Sequence, residues 1–198
     1  MESKESLRQR MRSLLFAGSD CSQAHSFELL ARLRSLSELG SSEILVGFLA
    51  ITPEPDLRPY LVEWLRSGRK LLLPRFVSSQ RQYELASVTD LARDLVPGHY
   101  GILEPHPLLP KDISCGTDNL PSRAWLVPGL AFSASGARLG RGKGYYDRLL
   151  GHSQDLIIGV CWDCQLISGI PVLAHDVAVH FVVTESRTID CRQTAITE

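Results

Sequence analysis

The sequence predicts an α/β fold built on a mostly parallel sheet, and three observations predict it. Short continuous apolar runs recur along the 198 residues, as strands buried on both faces require. Between them lie segments whose apolar residues repeat at helical spacing, the pattern of helices packed by one face. Glycine and proline separate the two kinds, so that strands alternate with helices in the order layered α/β folds use.

The first predicted element is a helix, because Leu7, Met11, Leu14 and Leu15 fall at i, i+4, i+7 and i+8. Lys4, Arg8 and Arg12 repeat at four-residue spacing on a neighbouring face, and Gly18 ends the helix. A second helix is expected over Ser22 to Leu39, with Gly40 as its stop. Ile44 to Ile51 reads ILVGFLAI, a buried strand broken by Pro53 and Pro55. The next helix carries Leu57, Leu61, Trp64 and Leu65 on one face; Pro59 fits only in its first turn, and Gly68 closes it. Lys70 to Pro74 is a further buried strand, Arg81 to Val88 another, and Thr89 to Leu95 a short helix capped near Thr89 or Asp90. Residues 97–123, with five prolines, read as one long loop. Ala124 to Phe132 (AWLVPGLAF) is a central strand ending in a Pro-Gly turn, Tyr145 to Leu150 a helix, and Leu156 to Trp162 and Val177 to Thr184 the closing strands.

Composition narrows the function classes. The chain is 44% hydrophobic and 22% charged, as in an ordinary soluble globular protein, and long enough for one domain, 1–198, with a real core. A formal net charge of -1 gives no bulk attraction to nucleic acid or an anionic membrane, so neither is expected as a partner. No stretch approaches a membrane span, and the N-terminus lacks the apolar core of a secretory signal. Cys21, Cys115, Cys161, Cys164 and Cys191 are an odd count, which suits reduced thiols in a cytoplasmic protein. A monomer is expected.

The segment richest in chemistry is Gly136 to Arg148, GARLGRGKGYYDR. Its glycines let backbone approach a ligand and turn N–H groups inward, while Arg138, Arg141, Lys143 and Arg148 supply full charges. The pattern suits a polyphosphate at the carboxyl ends of strands. It is neither a Walker A loop, since Gly144 follows Lys143, nor a dinucleotide fingerprint, since Tyr145 stands where the third glycine belongs. Asp147 amid these cations is a candidate Mg²⁺ ligand, because Mg²⁺ takes one or two carboxylates plus phosphate oxygens. The plain alternative is a flexible basic surface loop in which Asp147 pairs with Arg148.

LVPGLAFSASGARLGRGKGYYDRLL, residues 126–150, resembles the signature of the 5-formyltetrahydrofolate cyclo-ligase (methenyltetrahydrofolate synthetase) family. Weaker pieces follow the family's order: Lys4 and Arg8 on the first helix, an acidic residue after a strand (Phe48 to Glu54), Leu73 to Arg75, Tyr100 to Pro105 and His175 to Val177. The resemblance implies a three-layer α/β/α sandwich with a mostly parallel sheet, like that of sugar-phosphate isomerases and CoA transferases. Three positions depart from the family pattern: Ser133 replaces an aspartate, His180 an acidic residue, and Trp125 a smaller apolar one.

The activity the resemblance implies is ATP- and Mg²⁺-dependent closure of 5-formyltetrahydrofolate to 5,10-methenyltetrahydrofolate. The formyl oxygen takes the γ-phosphoryl of ATP, N10 attacks the activated carbon, and phosphate leaves. By the same resemblance Lys4 and Arg8 reach ATP, although a solvated helix face is the ordinary fate of such a pair. Arg138, Leu139, Gly140, Arg141, Gly142, Lys143, Gly144, Tyr145 and Tyr146 wrap the nucleotide phosphates, and Arg141 to Tyr145 also meet the formyl end of the folate. Arg141 and Lys143 are the catalytic cations. Leu49 and Glu54 hold the pterin, or Glu54 is a plain turn residue between prolines. Asp147 and Asp176 are the metal carboxylates, or Asp176 is a turn residue. Tyr145 and Tyr146 either stack on ligand rings or pack the helix, with Tyr145 nearer the loop. Glu104 is structural or lines the folate entrance.

Rival readings leave marks of their own. Cys161-Trp-Asp-Cys164 is a C-x-x-C, but no second Cys/His pair at zinc spacing accompanies it, so two incidental cysteines are the simpler account. A non-catalytic nucleotide or RNA binder of the same fold would keep the loop without turnover. A sugar-phosphate isomerase would share the fold class without needing this loop.

Overall fold

A computed structural model describes residues 2–17, 23–98, 101–112, 122–151 and 154–196. Its main sheet has seven strands. β1 (Ile44–Val46), β2 (Lys70–Val77), β6 (Arg123–Val127), β9 (Leu156–Val160) and β10 (Phe181–Val183) form its parallel centre. β3 (Gln82–Val88) and β11 (Thr188–Asp190) are antiparallel edges, giving the order β11-β10-β9-β6-β1-β2-β3. Two short hairpins stand apart: β4 (Leu95–Pro97) with β5 (Leu103–Pro105), and β7 (Ala131–Phe132) with β8 (Arg138–Leu139).

Alternation along the strands sends side chains to two cores. On one face Leu45, Leu71, Leu73, Leu126, Ile158 and Phe181 pack against α2 (Gln23–Ser35), α3 (Ser37–Gly40) and α4 (Arg58–Arg66). On the other, Ile44, Val46, Leu72, Trp125 and Ile157 meet Leu150 of α5 (Tyr145–Leu150). Helices thus cover both faces of the sheet, as the buried strand runs require. α1 (Lys4–Ala17) lies over the β7–β8 hairpin, burying Leu7, Met11 and Leu15 against Leu130, Ala131, Ala137, Leu139 and Ile170. Among the described residues no helix is long and apolar enough to cross a membrane.

Several expected boundaries move. Leu14 is 40% exposed, because the buried face of α1 is the narrower row that steps by four residues. The expected second helix breaks at Leu36, whose extended backbone (φ −77°, ψ 106°) lets Leu33, Leu36 and Leu39 enter one core; Gly40 is the last residue of α3 rather than its stop. Gly18 and Ser22 lie outside the described residues. β1 is three residues long, not eight, and the rest of its apolar run leaves the sheet, burying Phe48 and carrying Leu49 and Ile51 into a cavity.

The strand from Lys70 runs on to Val77 because it pairs with β3 along its length. Thr89 to Leu95 is a turn, not a helix: the buried Asp94 carboxylate accepts the N–H groups of Thr89 and Asp90 and the Thr89 hydroxyl, so the backbone has an alternative to helical bonding. The expected loop from residue 97 contains β5, while 113–121, with Cys115, is outside the described residues. The central strand ends at Val127, and the chain reverses at Pro128-Gly129 into β7. The last two strands also stop early, at Val160 and over Phe181–Val183.

Candidate active site

β1 leads to β2 on one side of the sheet, whereas β6 leads to β9 on the other, so the chain changes direction between β1 and β6. Open α/β sheets leave a crevice at that point, beyond the carboxyl ends of the strands. A cavity of about 570 Å³ lies there. It is lined by the segments that follow β1 (Phe48, Leu49, Ile51, Glu54) and β6 (Pro128, Gly129), by the glycine loop, and by α1 and β5.

One wall is cationic. The apolar row of α1 faces the β7–β8 hairpin, and the adjacent row, Lys4, Arg8 and Arg12, therefore faces the cavity. Arg8 Nε donates to the Gly140 carbonyl at 3.1 Å, and Arg12 donates to the Arg141 carbonyl at 3.3 Å, so the helix grips the loop by its backbone. The loop can take this path because Gly142 (φ +99°) and Gly144 (φ +64°) adopt left-handed conformations that strain other residues. Arg138, at the start of the loop, has a side chain 4% exposed; it donates to Asp147 Oδ1 at 2.5 Å and lies over the Tyr146 ring. Its Nε is buried with no hydrogen-bond partner among the described residues. Lys143 is exposed, and among the described residues no carboxylate lies within ion-pair distance of its ammonium.

The other wall is apolar and aromatic, with Leu49, Ile51, Leu73, Tyr83, Ile102 and Tyr145. Tyr145 meets Tyr83 edge-on at 4.8 Å and Phe76 at 6.0 Å, so α5 packs its first ring onto the β2–β3 hairpin. Tyr146 also lines the cavity; burial, with the Glu54 carboxylate, pushes its phenol well above the ordinary range, so it stays protonated. Two carboxylates stand in this wall. Glu54 Oε2 accepts the Ile51 N–H at 3.0 Å, and its Oε1 accepts Arg141 at 2.7 Å. Glu104 accepts the Phe76 N–H at 3.1 Å. Trp162 Nε1 donates to the Pro53 carbonyl at 2.6 Å, fixing the turn that presents Glu54.

The residues singled out from sequence thus converge on one cavity: Lys4, Arg8, Leu49, Glu54, Arg138 to Asp147, and Asp176 all line it. A turn position does not take these residues away from the cavity. Glu54 is a turn residue and also faces the cavity. Asp176 accepts the Leu173 N–H at 2.6 Å, as a turn residue would, and also the Lys4 ammonium. Burial alone would raise its carboxyl, but the bonds from Lys4 and Leu173 outweigh that and hold it below the usual range. Asp147 pairs with Arg138; Arg148 instead donates to the Lys143 carbonyl. Arg12, Tyr83, Ile102 and His175 line the cavity without having been chosen as site residues. The four-residue spacing of Lys4, Arg8 and Arg12 carried the signal for Arg12, and Ile102 and His175 fall within the stretches Tyr100 to Pro105 and His175 to Val177 that carry the family resemblance; nothing local marked Tyr83.

A metal centre built from protein ligands alone does not arise, since among the described residues no three His, Cys, Asp or Glu side chains cluster. Asp147 beside an arginine-rich loop fits a Mg²⁺ ion completed by phosphate oxygens, and the unpartnered Arg138 Nε fits a phosphate oxygen as its acceptor. The departures lie elsewhere: Ser133 closes the β7–β8 turn by accepting the Ala137 N–H, and His180 Nδ1 accepts the Ile157 N–H in the sheet. Trp125 donates to Asp155. Cys161 is buried, with its thiol pushed up by burial, and no disulfide joins it to the exposed Cys164.

Comparison with known proteins agrees across the chain. Residues 1–185 match the 5-formyltetrahydrofolate cyclo-ligase family. The 5-formyltetrahydrofolate cyclo-ligase of Mycolicibacterium smegmatis is 34% identical over 75% of this chain and 77% of its own length; that of Escherichia coli is 29% identical over 91% and 97%. Among solved structures, the 5,10-methenyltetrahydrofolate synthetase of Aquifex aeolicus superimposes with a TM-score of 0.79 at 30% identity, covering 96% of this chain and 93% of that one. A synthetase from Mycoplasma pneumoniae, at 18% identity, shares the fold with a TM-score of 0.70.

Proposed function

Because the chain belongs to the 5-formyltetrahydrofolate cyclo-ligase family, we propose that it converts 5-formyltetrahydrofolate to 5,10-methenyltetrahydrofolate at the expense of ATP, in the cavity between β1 and β6. The observation that carries this reading is the union of two unlike walls in one space: a glycine-backed cationic wall for a polyphosphate and an apolar, carboxylate-bearing wall for a pterin.

A formamide oxygen is a poor leaving group, and its phosphorylation makes it a good one. The chain's own part is positioning and charge stabilisation. Arg8 and Arg12 hold the loop backbone, and Lys4, Arg138 and Lys143 present charge to the phosphates. Lys143, with no carboxylate partner among the described residues and set between the left-handed Gly142 and Gly144, meets the phosphoryl as it passes from ATP to the formyl oxygen. Arg141 links the two walls through Glu54 and turns toward the phosphoryl when the ligands enter. Glu54 accepts N–H groups of the pterin ring, and Leu49, Tyr83 and Tyr145 cover its faces and exclude water. Asp147, with Asp176 as a second carboxylate, would hold Mg²⁺, which when bound neutralises phosphate charge. N10 of the folate then attacks the activated carbon, its proton is released, and the C–O bond to the phosphate breaks, so that phosphate departs and the ring is left as the methenyl cation.

The test is direct. Purified protein with MgATP and 5-formyltetrahydrofolate should form the methenyl chromophore and ADP in equal amounts. Binding of both ligands without turnover would leave a non-catalytic binder and end the enzyme reading.

A further inference from the structure

One buried carboxylate in the cavity has no task in that account. Glu104, at the centre of β5, is 7% exposed and lines the same space as Glu54, Tyr83 and Tyr145. Its Oε2 is committed to the Phe76 N–H. Its Oε1 is buried and has no hydrogen-bond partner among the described residues. An acceptor held from water with nothing to accept from is unfavourable, and folded proteins rarely keep one.

The side chain cannot relieve this by turning. Gly98 packs so closely that a Cβ there would come within 2.6 Å of the carboxylate, and the Gly98 N–H is itself tied to the Ile102 carbonyl at 2.7 Å. The adjacent cation does not help either. Arg75 donates to Glu84 and to the carbonyls of His106, Pro107 and Leu109. The free oxygen is therefore held in one position with its acceptor capacity unspent, which is how a binding site is preorganised for a donor.

Resting on the folate reading of the cavity, we propose that Glu104 is a second specificity-determining acceptor for the reduced folate, its Oε1 receiving an N–H of the ligand distinct from those that Glu54 takes. Reduced folates are rich in such donors, on the pterin ring and at N10, whereas the triphosphate of ATP carries none. Glu104 also sets the aromatic wall: the Phe76 backbone it holds bears the ring that packs on Tyr83 and Tyr145. Loss of the carboxylate therefore acts on folate and spares the nucleotide.

Glu104→Gln separates this role from a structural one. Glutamine keeps the Phe76 bond through its carbonyl oxygen and turns an NH₂ donor toward the ligand where an acceptor stood. We expect the parent to bind 5-formyltetrahydrofolate, and Glu104→Gln to bind it at least about tenfold more weakly, a change of about 1.4 kcal/mol. Its MgATP affinity and melting temperature should stay near the parent's. Glu104→Leu, which removes both bonds, should lose folate binding further and lower the melting temperature. Unchanged folate affinity in Glu104→Gln overturns the proposal. So does an equal loss of folate and nucleotide affinity, or loss of the fold in both variants, since each makes Glu104 a structural residue alone. A parent that binds MgATP and no reduced folate instead removes the folate reading on which the proposal stands.

Discussion

The two walls of the cavity are built in opposite ways. On the cationic wall charge rides on a backbone: α1 grips the carbonyls of Gly140 and Arg141, and the loop that follows them owes its path to the left-handed Gly142 and Gly144. On the aromatic wall charge is sunk into a rigid frame: Glu54 and Glu104 are each fixed through one oxygen by a backbone N–H, at Ile51 and Phe76. The side-chain exposures follow suit, at 42% for Arg141 and 7% for its partner Glu54. Under the proposed function the exposed charges meet the phosphates, and the acceptors fixed by backbone N–H groups meet the flat ring. The Arg141–Glu54 pair is the ion pair that joins the walls, and because Arg141 is so exposed the pair adds little to stability.

The largest expected effect falls on the cationic wall. Lys143→Met removes a cation that no carboxylate among the described residues offsets, and a charge-assisted bond is worth about 1.5–3 kcal/mol. Steady-state assays should show kcat lowered at least about tenfold on the scale of 1.4 kcal/mol per decade; a loss confined to the folate KM would assign Lys143 to the wrong wall. Asp147→Asn comes next. It keeps an acceptor for Arg138 but removes the charge a Mg²⁺ ion needs, so the Mg²⁺ concentration for half-maximal turnover should rise. Because Arg138 is 4% exposed, some loss of melting temperature should accompany it. A Mg²⁺ titration superimposable on the parent's would move the metal role to Asp176.

The smallest effect serves as a control outside both walls. His180 must be neutral for Nδ1 to accept the Ile157 N–H, and burial, aided by Arg192, lowers its pKa below the usual value near 6.5. The neutral form is favoured by folding, so this contribution to stability is complete above about pH 6.5 and is lost as pH falls through the lower folded value. His180→Gln should flatten that stretch of a melting-temperature profile while leaving both ligand affinities alone. A pH profile unchanged by the substitution would remove His180 as the cause.

Much of the cationic wall was legible in the sequence, because its chemistry is local. The thirteen residues from Gly136 to Arg148 hold glycines, cations and Asp147 in one stretch, and four-residue spacing put Lys4, Arg8 and Arg12 on one helix face. The parallel centre of the sheet was legible for the same reason, since runs such as Leu156 to Val160 need no partner to be recognised. The aromatic wall was legible only in part. Leu49, Glu54, Tyr145 and Glu104 stood out by resemblance, whereas Tyr83 on β3 and Ile102 just before β5 reach the cavity through the β2–β3 and β4–β5 pairings. Leu36 and Asp94 misled for a related reason: a tertiary core broke one helix, and a side chain competing for backbone N–H groups replaced another.

The division of labour between the walls is open to one titration. Trp162 donates to the Pro53 carbonyl beside Glu54, and a change in tryptophan fluorescence is the expected signal of pterin binding. In the absence of nucleotide, 5-formyltetrahydrofolate should bind Lys143→Met within about twofold of the parent and Glu54→Gln at least about tenfold more weakly, the loss expected for one charge-assisted bond. Parental affinity in Glu54→Gln together with weak binding in Lys143→Met would contradict the account, because the folate would then be held by the wall assigned to the phosphates.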